Sequence, residues 1–424
     1  MDSICQDVFL EITKYLFYNK DIIRFLSVNK TAHSSKPKCN FMEEVIYNEA
    51  MEKLSYYNQL KTIYHCEEGV SEIWNPKFHL VPHVRCVFLS FVYGDLSNIL
   101  LPSTIREITF VYHFDRPLIR KSFPDSLKEL TFGHHFNRPL LPGVFPSSLQ
   151  KITFGYHFDQ PLMLGVFSCS LQEITFGWYF NQPLTPGIFP SSLQKITFGY
   201  HFDQPLTPGI FPSSLQEITF DWYFNQPLVP GIFPSLKEII FGCDFNQPLV
   251  PGVLPYSLQK ITFGHCFNQP LVPGCLPESL QKITFHSDFN QPLKQGVFLS
   301  SLQNITFGYQ FNQPLLSGVL PSSLKELTFD YYFNQPLLPG VLPSSLQEIT
   351  FGYSFNQPLL PGVLPSSIQE ITFGVSFDQP LHPEVFPSTI KKITIETPSY
   401  DKHPKYNKKL ISLPPNVEII INKI

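Results

Sequence analysis

Three histidines, His113, His135 and His157, stand 22 residues apart in the chain. Stacked at a strand spacing of about 4.8 Å, two such imidazoles would be placed to share a metal ion. The competing reading is a row of exposed rings, copied along with everything around them. Eight cysteines lie at positions 5, 39, 66, 86, 169, 243, 266 and 275. None forms a CxxC pair, and their spacing follows no metal or disulfide framework. They read as free thiols of a reducing compartment. A phosphate loop, HExxH and Gly-x-Ser-x-Gly are all missing, and with them the usual footholds of phosphoryl, zinc and serine chemistry. The expectation is a protein with no catalytic residues, no metal and no cofactor: not an enzyme.

Whatever the chain binds must be positioned by a repeat. A Phe-Asn/Asp-x-Pro-Leu core starts at Phe114 and occurs thirteen times, the last at Phe377. The step is 22 residues except between Phe224 and Phe245, where it is 21. A fixed period near this length predicts a solenoid. In each unit an apolar set such as Leu149, Ile152 and Phe154 brackets Thr153, a period of two that predicts a short strand with one buried face. Pairs such as Pro142-Gly143 and Pro186-Gly187 are turn chemistry. The return side is too rich in Pro and Gly for a regular helix and reads as extended backbone. One coil cannot cover its own Phe and Leu, so coils must stack and pair their strands.

The residue after the repeated Phe is Asn or Asp, as at Asn137, Asp159 and Asn181. A side-chain oxygen is what the two share, which points to an acceptor that satisfies backbone donors, one per coil. A ligand-binding column is the alternative. Between the strand Phe and the next Phe lie three residues. The first is Gly in nine of the thirteen coils, the mark of a bulge or a close backbone approach. The second is mostly aromatic, with Tyr156, Trp178, Tyr200 and Trp222. The third includes His157, Tyr179, His201 and Tyr223. Strict alternation turns the second row inward as a buried rail. The other reading is an exposed ridge of Trp and Tyr that anchors a protein target. Lys151, Glu173, Lys195 and Glu217 alternate in sign and are expected to pair between coils, setting register more than strength.

The apolar pattern resembles a leucine-rich repeat, and the Phe-Asn-x-Pro-Leu core resembles the FNIP repeat, with Gln, or Arg at Arg116 and Arg138, in the third place where the family has Ile. That family is known mainly from social amoebae and from giant viruses of amoebae. The resemblance implies a mainly β, leucine-rich-repeat-like solenoid of about thirteen 22-residue coils over residues 104–395. Residues 59–103 read as worn repeats forming an N-terminal cap, and residues 396–424 as a C-terminal cap whose last strand is Val417–Ile421.

Residues 1–58 differ in kind. Val8, Ile12, Tyr15 and Leu16 fall on one helical face, and two further helical segments follow. The segment resembles an F-box. Ile4-Cys5 stands at the family's Leu-Pro, Asp7 at its acid, and Val8, Phe9, Ile12 and Leu16 at its apolar positions. Asp21-Ile22-Ile23 then matches the start of the next helix. The resemblance implies that Ile4, Cys5, Val8, Phe9, Ile12, Leu16 and Ile22 contact a Skp-type adaptor of a cullin ubiquitin ligase, with Cys5 a departure from the family's Pro. A plain helical cap on the solenoid is the alternative.

Net charge is −4 without a basic stripe, which disfavours nucleic acid as a partner. The chain has no apolar run of 18 residues, so no membrane span is expected. The N-terminus, with Asp2 and Asp7, lacks a signal-type core. The expected compartment is cytoplasmic, that of the host cell for a viral chain. Two functions follow: a substrate-recruiting ligase subunit whose solenoid binds an unknown protein target, or a stand-alone binding scaffold.

Overall fold

The computed structural model describes residues 101, 103–110, 113–120, 122–398 and 417–423, and the backbone of the strands Thr62–His65 and Cys86–Leu89. The helices expected in residues 1–58 lie outside the described residues. The chain forms two compact units, residues 1–194 and 195–424. Each is a ladder of short parallel strands, one per coil. In the first unit the strands run from Thr62–His65 to Glu173–Thr175, each hydrogen-bonded to the next. In the second they run from Lys195–Thr197 to Glu418–Lys423, which pairs in parallel with Lys392–Thr397 over six residues. The last strand expected from Val417 onward is therefore present. Among the described residues there is no α-helix; the one helical element is the 3-10 turn Pro383–Val385.

The period-two reading holds within the strand. Ile152 is fully buried, Thr153 is half-buried and Lys151 is exposed. Behind the strands two columns of Phe fill each coil. Phe154 and Phe158 stack at 4.1 Å within one coil, and each stacks on its counterpart in the next, Phe176 at 5.5 Å and Phe180 at 6.0 Å. Such offset stacks add to the gain from burying the rings, which is their main contribution. Leu149, Val166 and Phe167 complete the layer. Leu162, in the place where Leu140 and Leu184 are buried, is only half-buried.

The return side carries turns without helix. The Val144 N–H donates to the Leu141 carbonyl, with Gly143 at φ +78°. Pro then positive-φ Gly at the two central places is the signature of a type II turn. In the last coil Glu384 takes the glycine's place, and the turn becomes the 3-10 element Pro383–Val385.

Gly155 is a different case. A Cβ there would stand 1.8 Å from the Gly133 carbonyl oxygen of the preceding coil. The close approach expected from the glycine row is thus real. Where His286 and Asp330 replace that glycine, their N–H groups bond to the carbonyls of Phe263 and Phe307. Phe263 pairs with Phe285 and Phe307 with Phe329, so the ladder runs one residue further there.

Candidate protein-binding surface

Side chains that serve the coil also define which ones are left over. The Asn/Asp column serves the coil. Asp159 Oδ1 accepts the Asn181 N–H at 2.9 Å, and Asn268 Oδ1 accepts the Asn290 N–H at 3.0 Å. The acceptor reading holds, and the oxygen is fully used: Gln182 Nε2 donates to the same Asp159 atom at 2.9 Å. A second column, not read from the sequence, is serine. Ser148 Oγ donates to the Leu127 carbonyl and Ser192 Oγ to the Leu171 carbonyl, both at 2.6 Å. A Ser immediately before the coil's Leu, three places ahead of the strand, in coil after coil was the available signal.

Beyond the strand a second backbone ladder forms. The Tyr179 N–H donates to the Tyr156 carbonyl at 3.0 Å, and the Tyr223 N–H to the Tyr200 carbonyl at 3.0 Å. The residue in the second row thus meets the residue in the third row of the following coil. This ladder presents the aromatic rows on a ledge outside the Phe columns. Tyr156, Trp178 and Tyr179 are 36–41% exposed, so these rings form an exposed row and not the buried rail that strict alternation predicts. The alternation fails because the strand stops at Thr153, and Phe158 N–H turns back onto the Gly155 carbonyl.

In the first unit Tyr156 stacks on Trp178 at 5.3 Å and meets Tyr179 edge-on at 5.1 Å, while His157 stacks on Tyr179. In the second unit Tyr200 stacks on Trp222 at 5.3 Å and meets Tyr223 edge-on at 4.8 Å, with His201 beside Tyr223. His157, Tyr200 and His201 are half-buried; Trp222 and Tyr223 are exposed. A third cluster carries Tyr309, Tyr331, Tyr332 and Tyr353, with Tyr331 and Tyr353 face to face at 4.5 Å. Partial burial first, then Tyr179, pushes the Tyr156 phenol up from its ordinary value; burial and Tyr223 do the same to Tyr200. These hydroxyls stay protonated at neutral pH and remain both donors and acceptors.

The charged row beside the strands pairs as expected. Lys151 lies 3.3 Å from Glu173, and Lys195 lies 2.8 Å from Glu217. The histidine row stacks face to face, His113 on His135 at 4.9 Å and His135 on His157 at 5.2 Å. Stacked rings hold their in-plane lone pairs parallel rather than convergent, so they make a poor chelate. The group of metal-ligating side chains that does converge, among the described residues, is Cys243, Asp244 and Cys266. Burial, then the Cys266 thiol and Asp244, push the Cys243 thiol up to about 11. The residues expected to contact an adaptor, Ile4, Cys5, Val8, Phe9, Ile12, Leu16 and Ile22, lie outside the described residues.

Comparison with known families matches the FNIP repeat in nine segments, from residues 114–157 to 355–397, which together span more than half of the chain. The chain belongs to the FNIP repeat family. Among solved structures this FNIP chain is similar to CroV588, described as a novel circular LRR protein, with 28% identity and a TM-score of 0.65. The match covers 88% of this chain and 67% of that one. A search of the curated proteins found no match. The FNIP core of this chain departs from its family name at the third position, and the structure explains the departure. Gln160 and its counterparts share the acceptor of the Asn/Asp column, as Gln160 Nε2 does with Asn137 Oδ1 at 2.9 Å. Arg138 fills the same role as an ion pair with Asp115 at 2.8 Å. A repeat solenoid of FNIP coils is the architecture of a protein-binding scaffold.

Proposed function

We propose that this FNIP protein is a non-catalytic scaffold that captures a protein target on the exposed aromatic ledge that each unit carries. The observation that carries the reading is the exposure of Tyr156, Trp178 and Tyr179, and of Trp222 and Tyr223, on residues that the coil does not need for its own core. Rigid aromatic rings with a polar tip lose little entropy on contact and are the commonest interface anchors. The ledge backbone is held by its own ladder, so the rings are pre-set rather than recruited.

The finer reading adds a ligase link. The F-box-like register of residues 4–23 supports a Skp-type adaptor as the second partner, held by Ile4, Cys5, Val8, Phe9, Ile12, Leu16 and Ile22. The protein then works by bringing target and ligase together in the cytoplasm, that of the host cell for a viral chain. A scaffold without a ligase link is the second reading, favoured by Cys5 where the F-box has Pro. Affinity capture of the full chain from amoebal lysate, with and without residues 1–58, separates them. Adaptor recovery that depends on residues 1–58 supports the ligase reading. Its absence from both samples leaves the scaffold alone. Equal recovery of every co-purifying protein after Trp178→Ala, Tyr179→Ala, Trp222→Ala and Tyr223→Ala together would sink the ledge itself.

A further inference from the structure

We propose that Cys243, Asp244 and Cys266 form a site for a thiophilic divalent cation of the zinc class, bridging two adjacent coils. A second-row residue and the third-row residue of the following coil, 23 positions on, are brought together by a backbone hydrogen bond. In three coils that diagonal pair is Tyr and Tyr: Tyr156 with Tyr179, Tyr200 with Tyr223 and Tyr309 with Tyr332, at ring separations of 4.8–5.1 Å. In one coil it is Cys243 and Cys266, with the Cys266 N–H on the Cys243 carbonyl at 2.8 Å. Two thiols thus meet through a rule of the fold, although they are far apart in sequence and form no CxxC.

Asp244 adds the third donor. It is the third-row residue of the Cys243 coil, and its N–H is fixed on the Trp222 carbonyl at 2.8 Å. The Cys266 Sγ lies 3.9 Å from Asp244 Oδ1, and the three ligand atoms lie within 4.8 Å of one another. A tetrahedral zinc ion, with Zn–S near 2.3 Å and Zn–O near 2.0 Å, wants donors about 3.4–3.8 Å apart. Side-chain rotation of about an ångström closes the difference. All three residues are half-buried, so an ion can enter and still be shielded.

The donor chemistry selects the ion. Two sulfurs and one carboxylate suit zinc and its soft neighbours and reject magnesium and calcium, which take oxygen alone. Asp288, on the next coil, adds negative charge near Cys266. Binding releases the two thiol protons to the buffer and needs no oxidant. Three protein ligands leave a fourth position for water or for a donor from a bound target.

Cobalt(II) titration of the full chain, stripped with chelator under reducing conditions, tests the site. The expected result is one equivalent bound, with a sulfur-to-cobalt charge-transfer band and the visible bands of a tetrahedral site, both erased by zinc. Cys243→Ser and Cys266→Ser should abolish the bands, Asp244→Asn should weaken binding about tenfold or more, and Cys169→Ser should change nothing. Absence of a thiolate band in the wild type overturns the proposal, as does a band that survives both serine changes together. If a serine variant unfolds, the intensity of the wild-type charge-transfer band, which counts thiolates, decides: two support the site, any other number refutes it.

Discussion

The Asn290 N–H donates to Asn268 Oδ1 at 3.0 Å, across a full coil of chain. The same oxygen accepts Gln291 Nε2 at 3.0 Å, and the Asn268 N–H in turn reaches Asn246 Oδ1. One side chain therefore satisfies a donor of the following coil, while its own backbone is satisfied by the previous one. The column is a ladder made of side chains, running parallel to the ladder made of strands.

Asn268→Ala should destabilise the second unit by about 1–3 kcal/mol, because it leaves a half-buried backbone N–H without its acceptor. Asn268→Asp keeps the oxygen and should cost far less, as Asp159 and Asp203 do this work in the wild type. Chemical denaturation of the two variants checks the pair. Equal losses would mean that the amide's size, and not its oxygen, matters.

The two glycine rows should respond differently to alanine. At Gly155 the added carbon meets the Gly133 carbonyl at 1.8 Å, and backbone cannot step aside cheaply. Gly155→Ala should cost about 3 kcal/mol or more. At Gly143 nothing lies within 4 Å, and the penalty comes from φ +78° alone. Gly143→Ala should cost about 1–2 kcal/mol. Thermal melts of both variants test the ordering, and a larger loss at Gly143 would contradict it.

Much of this was legible in the chain. The 22-residue step gave the coils, the Ile-Thr-Phe alternation gave the buried face, and the interchange of Asn and Asp gave the acceptor. What was not legible sits where one coil meets the next. Tyr156 cannot be placed by counting in twos, since the pleat ends at Thr153 and the chain turns at Gly155. Cys243 and Cys266 escape a search for CxxC because their nearness comes from a diagonal between coils. The work of Gln160 and Ser148 is likewise done entirely on the neighbouring coil. Sequence motifs register what is near along the chain, while a solenoid makes its contacts one period away.

The ledge should carry binding and little stability. Trp222→Ala with Tyr223→Ala removes rings that are 42% and 39% exposed and lie outside the buried Phe columns, so the melting temperature should move by a few degrees at most. Capture of the target should fall at least about tenfold, the loss expected for central aromatic anchors. Quantitative affinity capture beside a thermal melt checks both halves. A large loss of stability with intact binding would reverse the assignment.

Like charges stand together along one part of the strand row. Glu326, Glu348 and Glu370 stand on successive paired strands. Burial first, then Glu326 and Glu370 on either side, raises the Glu348 carboxyl above its ordinary range, with Lys392 opposing. A carboxyl raised by folding binds its proton more tightly in the folded state than in the unfolded one. Its contribution to stability is therefore present at acidic pH and is lost as pH rises from the ordinary carboxylate range through the raised value. Glu348→Gln should thus be more stable than the wild type at neutral pH, and the difference should vanish near pH 3. The side chain is exposed, so the gain is small, about 0.5 kcal/mol. Glu348→Lys should gain somewhat more, since it recreates the alternation that pairs Lys195 with Glu217 at 2.8 Å. Paired melts of wild type and variants at the two pH values measure it, and a gain that persists unchanged in acid would show that charge is not its cause.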